Sequence, residues 1–465
     1  MTFLLTNQSP DSLANYTSDA LRVAQRPLQY LPDALQLAKA RAMSAKGYFV
    51  DLFAGCGGLS MGLEQAGFHP VFVNELNKDA LQSYLLNRET VEARLAQPEF
   101  HCNDVKDLVK GKRMANLIAE IKAEFGVNAK KKELDLVVGG PPCQGFSGIG
   151  HRRSYSVDKE QLPSNHLFQD MAWVVDQLRP KVFLFENVKG LLSAKWTPSG
   201  HKGEIWDDVR QAFESIGDYN INWSLVHAKD YGVPQNRPRV LLVGLRKDID
   251  AKPWLKDNSG IAKGFLPPKH GRPPDLAELF DDLLDPKYKN GGKTEAYPHE
   301  ATNDYQRELR RTHDGKRILG KGERVTEHEY SNHSPKIKEK FRYMLAHGGE
   351  IPEHLQTKKF AQRVLPAHWD EGVGPTITAT SLPDDYVHYS KKQARTLTVR
   401  EWARLQGFPD WYQFAGSRTT GGLRRAGNPR EGVFDRELPK YTQIGNAVPV
   451  ALARALGMHF LKVLK

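Results

Sequence analysis

Residues 48–63 read Tyr48-Phe49-Val50-Asp51-Leu52-Phe53-Ala54-Gly55-Cys56-Gly57-Gly58-Leu59-Ser60-Met61-Gly62-Leu63, and this stretch decides the fold. The run Tyr48–Phe53 is apolar apart from Asp51, as a buried strand requires. The glycines that follow make a tight turn. Leu59, Met61-Gly62-Leu63 and Ala66 then take up helical spacing. A strand that passes through glycines straight into a helix is the opening unit of an α/β fold. Glycines at that turn let the backbone approach a ligand closely, and the helix N-terminus offers free N–H groups to it.

The same rhythm repeats downstream. Val71-Phe72-Val73 reads as a second short strand ending in Asn74-Glu75, followed by helical spacing at Ala80, Leu81, Tyr84 and Leu85. Leu134-Asp135-Leu136-Val137-Val138 and Val182-Phe183-Leu184-Phe185 are further buried strands. A helix through Met171, Val174, Val175 and Leu178 precedes the second of them. Strands alternating with helices predict a parallel sheet covered on both faces. Residues 1–47 form an N-terminal extension with no legible chemistry, and residues 48–245 form the α/β unit. Residues 246–394, rich in Gly, Pro, Lys and Asp over 250–330, read as a loop-rich inserted domain. Residues 395–465 return to helices, including Arg400–Leu405 and a last helix from about Pro449, and complete the first unit.

Composition narrows the function classes. The 465 residues are 40% hydrophobic and 26% charged, ordinary for a globular chain. The net charge of +11 suits a polyanionic partner. Arg307, Arg310, Arg311, Lys316, Arg317, Lys321 and Arg324 concentrate that charge within the insert. The three cysteines make no disulfide framework and no zinc spacing, so no metal is expected and a reducing cytoplasm fits. Met1-Thr2-Phe3-Leu4-Leu5 lacks the basic start of a signal peptide, and no apolar run reaches the roughly 20 residues that span a bilayer, so no membrane association is expected.

Candidate chemistry sits at the strand ends. Glu75 ends the second strand, where a carboxylate accepts hydrogen bonds from ribose hydroxyls, and Asp104 is placed to accept from an adenine amine. Cys143 lies in Gly139-Gly140-Pro141-Pro142-Cys143-Gln144-Gly145-Phe146-Ser147, just past a strand end. Glu186 ends an apolar strand, where a poorly solvated carboxyl suits a proton donor. Gln235-Asn236-Arg237-Pro238-Arg239 puts two arginines on one side of an extended segment, ready for carbonyl or phosphate oxygens. Taken singly, each has a bland alternative: an inert buried thiol, a capping glutamate, a surface basic pair.

Taken in order, these motifs resemble the DNA (cytosine-5)-methyltransferases of bacterial restriction–modification systems. Asp51-Leu52-Phe53-Ala54-Gly55-Cys56-Gly57-Gly58 is similar to the family's cofactor motif, and Pro141-Pro142-Cys143-Gln144 to its nucleophile motif. Glu186-Asn187-Val188 and Gln235-x-Arg237-x-Arg239 resemble its other catalytic motifs. Arg400-Glu401-x-x-Arg404-Leu405-Gln406-Gly407-Phe408-Pro409 and Gln443-Ile444-Gly445-Asn446-Ala447-Val448-Pro449 resemble its C-terminal pair. The resemblance implies a Rossmann-like S-adenosylmethionine-dependent methyltransferase fold with an inserted target-recognition domain. It implies S-adenosylmethionine held by Phe53, Gly55, Gly57, Gly58, Glu75, Leu76, Asp104, Val105, Pro142, Leu167, Asn446 and Val448. Cys143, Glu186, Arg237 and Arg239 would be catalytic, and Gln144, Ser147, Arg152, Arg153 and Gln235 would face DNA. Leu76 departs from the family's frequent aromatic at that place. The implied partners are double-stranded DNA and a cognate restriction endonuclease, with the enzyme itself a monomer. An RNA cytosine-5 methyltransferase of the same fold and a catalytically silent DNA-binding relative remain alternatives at this level.

Overall fold

The computed structural model describes residues 45–142, 166–255, 261–269, 271–356, 363–368, 375–377, 383, 386–419 and 437–464. Its centre is a seven-stranded sheet. In chain order the elements around it are β1 (Gly47–Leu52), α1 (Gly58–Ala66), β2 (Phe68–Asn74), α2 (Lys78–Leu86), β3 (His101–Cys102), α3 (Arg113–Phe125), β4 (Leu136–Gly139), α4 (Leu167–Leu178), β5 (Val182–Val188), α5 (Glu204–Glu214), β6 (Tyr219–His227) and β7 (Pro238–Arg246). After the insert come α6 (Val399–Leu405), α7 (Lys440–Asn446) and α8 (Val450–Leu464).

The strand order is β3-β2-β1-β4-β5-β7-β6. The chain builds outwards from β1 to β3, then returns to β4 on the other side of β1. The order therefore reverses between β1 and β4, the place where open α/β sheets leave a crevice at the carboxyl ends of their strands. The expectation of an all-parallel sheet is corrected. β1, β2, β3, β4 and β5 pair in parallel, but β7 runs antiparallel to β5, and β6 antiparallel to β7. The short connection from β6 to β7 allows a hairpin, whereas a parallel neighbour would need a crossover of a dozen residues or more.

Side chains alternate across the sheet and divide the core in two. Val50, Leu52, Val137, Phe183, Phe185, Val240 and Leu242 face α3, α4 and α5. Phe49, Leu136, Val138, Val182, Leu184, Leu241 and Val243 face α1 and α8. The last helix is apolar because it is a core element, with Leu452, Leu456 and Phe460 fully buried. Trp254, Phe265 and Leu266 join the same cluster, and the Trp254 indole donates to the His459 carbonyl at 3.0 Å.

Other described residues of the insert dock on the C-terminal segment. Leu276, Leu279, Phe280, Ile377 and Tyr386 share a core with α6, Phe408, Tyr412 and α7. Thr398 caps α6, its hydroxyl accepting from the Glu401 N–H while the Glu401 carboxylate accepts from the Thr398 N–H. One turn on, the fully buried Arg404 bridges Asp282 of the insert and Asp410, both at 2.6 Å, and Asp282 also pairs with Arg310 at 2.7 Å. Such a network is worth little as net stability, but each member is costly to remove singly.

Helix α1 packs closely against α8. A methyl group added at Gly62 would run into the Val450 carbonyl and the Ala453 side chain. Gly62→Ala is therefore expected to lower stability by about 1–3 kcal/mol. Denaturant titration should show a lower midpoint with an unchanged slope.

Candidate active site

The cofactor-side residues gather at the carboxyl ends of β1, β2 and β3. Phe53 leaves β1 with a left-handed backbone (φ 58°), and its ring packs, half-buried, on the same core as Leu167. Gly55 and Gly57 also have positive φ, and Gly57 opens α1. The Glu75 carboxylate accepts from the Gly55 N–H at 2.8 Å and from the Asn77 N–H at 2.7 Å. Burial nonetheless pushes its pKa up, the two N–H donors opposing. Each oxygen keeps a lone pair for a further donor. The adjoining Leu76 is 69% exposed, a large apolar face with no cover. Asp104 accepts from the Lys106 N–H at 2.9 Å, while the Val105 side chain lies in the core and leaves only its backbone to a ligand.

The C-terminal motif closes this end. The Val448 carbonyl packs so tightly on Gly58 that no side chain fits between them, and Asn446 is exposed at the end of α7. The cradle offers two carboxylates and an apolar face. That donor set fits a nucleoside with free ribose hydroxyls and an exocyclic amine.

The second half of the site lies across β4, β5 and β7. Glu186 near the end of β5 and Arg239 near the start of β7 are both 8% exposed and pair through Oε1 and Nε at 2.5 Å. Gly140 lies alongside, and a Cβ there would come within 2.8 Å of the other Glu186 oxygen. Asn187 donates to the Pro141 carbonyl at 3.0 Å, so the strand that carries Glu186 also holds the Pro141-Pro142 turn. Pro142 is exposed. Cys143, Gln144, Ser147, Arg152 and Arg153 lie outside the described residues. The other thiols are poor nucleophiles, because Cys56 and Cys102 are buried and burial pushes both up to about 12.

One expectation changes. Gln235, expected to face DNA, is fully buried. Its amide donates to the Leu405 carbonyl at 2.9 Å and to Gln406 Oε1 at 2.7 Å, and accepts from the Ile377 N–H at 3.4 Å. Arg237 is also buried, donating to the carbonyls of Ile377 (2.9 Å) and Gly445 (2.5 Å). It therefore fastens the insert and the C-terminal motif to β7, within electrostatic reach of Arg239 and Glu186. The basic concentration in the insert is partly self-neutralised: Arg307 pairs with Asp304, Arg311 with Glu308, Arg317 with Glu323, and Arg310 is buried on Asp282.

Asp51, inside the glycine motif but overlooked as chemistry, is another buried polar group. Its Oδ2 accepts from the Ser60 hydroxyl at 2.5 Å, and that hydroxyl lies 2.8 Å from the Tyr84 hydroxyl. Its Oδ1 has no hydrogen-bond partner among the described residues. Burial pushes its pKa up to about 7, opposed by the Ser60 bond.

The family comparison agrees with this geometry. The model of the C-5 cytosine-specific DNA methylases matches residues 47–462. The chain is 30% identical to the Type II methyltransferase M.DdeI of Desulfomicrobium norvegicum, over 88% of this chain and 86% of that protein. It is also 30% identical to the Type II methyltransferase M.XorII of Xanthomonas oryzae pv. oryzae, over 90% and 85%. A candidate DNA modification methyltransferase encoded within an E. coli prophage shares the fold, with a TM-score of 0.60 at 23% identity, covering 90% of this chain and 99% of that one.

Asp51 gives a stability test. The folded chain holds its proton up to about pH 7, while an unfolded aspartate releases it near 3.8. The folded state thus binds more protons in that window, and the stability this contributes is lost as pH rises through it. Asp51→Asn removes the dependence, so its melting temperature should gain on the wild type between pH 5 and pH 8. A gap that stays constant contradicts the assignment. With the glycine turn, the carboxylates of β2 and β3 and the Glu186–Arg239 pair on one sheet edge, and a family match across nearly its whole length, the chain belongs to the C-5 cytosine-specific DNA methylases and is a DNA cytosine-5 methyltransferase.

Proposed function

We propose that the enzyme methylates C5 of a cytosine flipped out of duplex DNA, by way of a covalent bond between Cys143 and C6. The observation that carries this reading is the Glu186–Arg239 pair at 2.5 Å, beside Gly140 and the Pro141-Pro142 turn that leads into Cys143. In a flipped pose the base leaves the stack, at a cost of a few kcal/mol offset by protein contacts.

The Cys143 thiolate adds to C6, and the C5–C6 π pair moves onto C5. Glu186 hydrogen-bonds N3 and delivers a proton as charge develops in the ring. Arg239 holds O2, its guanidinium kept in register by Glu186. This makes C5 a carbon nucleophile, which an aromatic pyrimidine is not. S-Adenosylmethionine, which Glu75, Leu76, Asp104 and the Gly55 turn would hold, would supply an electrophilic methyl group. Loss of the C5 proton to a base then breaks the S–C6 bond and restores the thiolate. Arg237 serves by fixing the start of β7, so that Arg239 points at the base.

The likeness to two Type II methyltransferases supports a sequence-specific modification enzyme, working in the cytoplasm alongside an endonuclease with the same target. One flipped base engages one active site, which supports a monomer. Within the insert, Lys316, Lys321 and Arg324 are exposed and are placed for phosphates.

Labelled cofactor should transfer methyl to duplex DNA, with bisulfite sequencing giving one recurring context. Label appearing only in tRNA overturns the reading. Glu186→Gln should slow turnover by about 10²–10⁴ while duplex binding persists.

A further inference from the structure

We infer that Asn74 is the positioning residue that sets the span of the cofactor site; this rests on the cofactor reading given above. Asn74 is the last residue of β2 and is 1% exposed. Its register partners are Leu52, the end of β1, and Cys102, the end of β3. Every residue expected to touch the nucleoside on this side follows one of these three strand ends: Phe53 after β1, Glu75 and Leu76 after β2, Asp104 after β3.

The Asn74 side chain joins all three. Its Oδ1 accepts from the Phe53 N–H at 3.3 Å. Its amide donates to the carbonyls of Cys102 (3.2 Å) and Asn103 (2.9 Å). The main chain adds to the clamp, since the Asn74 carbonyl accepts from the Ala54 N–H at 2.9 Å and the Glu75 N–H donates to the Cys102 carbonyl at 3.1 Å. An acceptor on one side and a two-proton donor on the other is a demand that only a side-chain amide meets at this length. Aspartate keeps the acceptor but turns a negative oxygen towards two carbonyls. The separation of Phe53, Glu75 and Asp104 is thus fixed before any ligand arrives. Such preorganisation acts on affinity, because a pre-set site loses less freedom on binding.

Asn74 lies on the far side of β1 from Glu186 and Arg239, which β5 and β7 carry. The two halves of the site can therefore be read separately. Addition of Cys143 to C6, followed by protonation at C5 and reversal, exchanges the C5 hydrogen of the target cytosine with solvent and needs no cofactor. In Asn74→Asp, and in the uncharged Asn74→Ser, binding of S-adenosylhomocysteine by calorimetry should weaken by about tenfold or more. C5-hydrogen exchange on DNA without cofactor should stay within about threefold of wild type in at least the Ser variant. Unchanged S-adenosylhomocysteine affinity overturns the inference. So does a parallel fall of affinity and exchange in both variants, which marks a general structural role. If the wild-type protein itself fails to bind S-adenosylhomocysteine, the cofactor reading falls, and not the role of Asn74 within it.

Discussion

The antiparallel pairing of β7 on β5 is the constraint on which the site depends. In a sheet whose other ligand-bearing strands run parallel, only residues that follow a strand reach the carboxyl-end crevice. β7 runs the opposite way, so the residues at its start arrive there instead. Val188 pairs with Arg239 and Glu186 with Leu241, and this register brings the Arg239 guanidinium to within 2.5 Å of the Glu186 carboxylate. A slip of one residue would send Arg239 to the opposite face of the sheet. The hairpin from β6, the Gln235 amide and the Arg237 bonds to Ile377 and Gly445 all resist that slip.

The pair also has a simple electrostatic logic. Burial alone disfavours the charge on Arg239, and the Glu186 carboxylate opposes that effect. The resulting group has an arginine for a carbonyl oxygen and a carboxyl for a ring nitrogen, held in a fixed relation. Gly140 is small because Glu186 fills the space where its side chain would lie. The Glu186-Asn187 dipeptide therefore works twice, on the base through the first residue and on the Pro141 turn through the second.

Much of this was legible in the sequence, and the failures have physical causes. Buried strands announce themselves as apolar runs, so β1, β2, β4 and β5 were readable, as were the glycine turn and the acidic residues that follow. Strand direction is not written in hydrophobicity, so the antiparallel run of β7 left no mark in the sequence. The edge strand β6, Tyr-Asn-Ile-Asn-Trp-Ser-Leu-Val-His, carries a polar residue at every second place over its first half and escaped notice. Gln235 was misjudged because a polar side chain reads as a surface group, whereas here it satisfies a backbone carbonyl deep in a junction. The arginines of the insert deceived in the same way: composition counts charges but not the carboxylates already paired with them. Asn74 and Asn187 stood next to recognised residues and were passed over, because an amide that bonds to backbone leaves no spacing signature.

The central claim is that Cys143 attacks a base held by Glu186 and Arg239. Duplex DNA carrying 5-fluorocytosine at the target site tests it most directly, because fluorine at C5 cannot leave as a proton and the covalent complex accumulates. With S-adenosylmethionine present, the wild-type protein should form a complex that survives denaturation, and peptide mapping should place the DNA on Cys143. Cys143→Ser should form none. An adduct of equal yield in that variant, or one mapped to Cys56 or Cys102, would contradict the account.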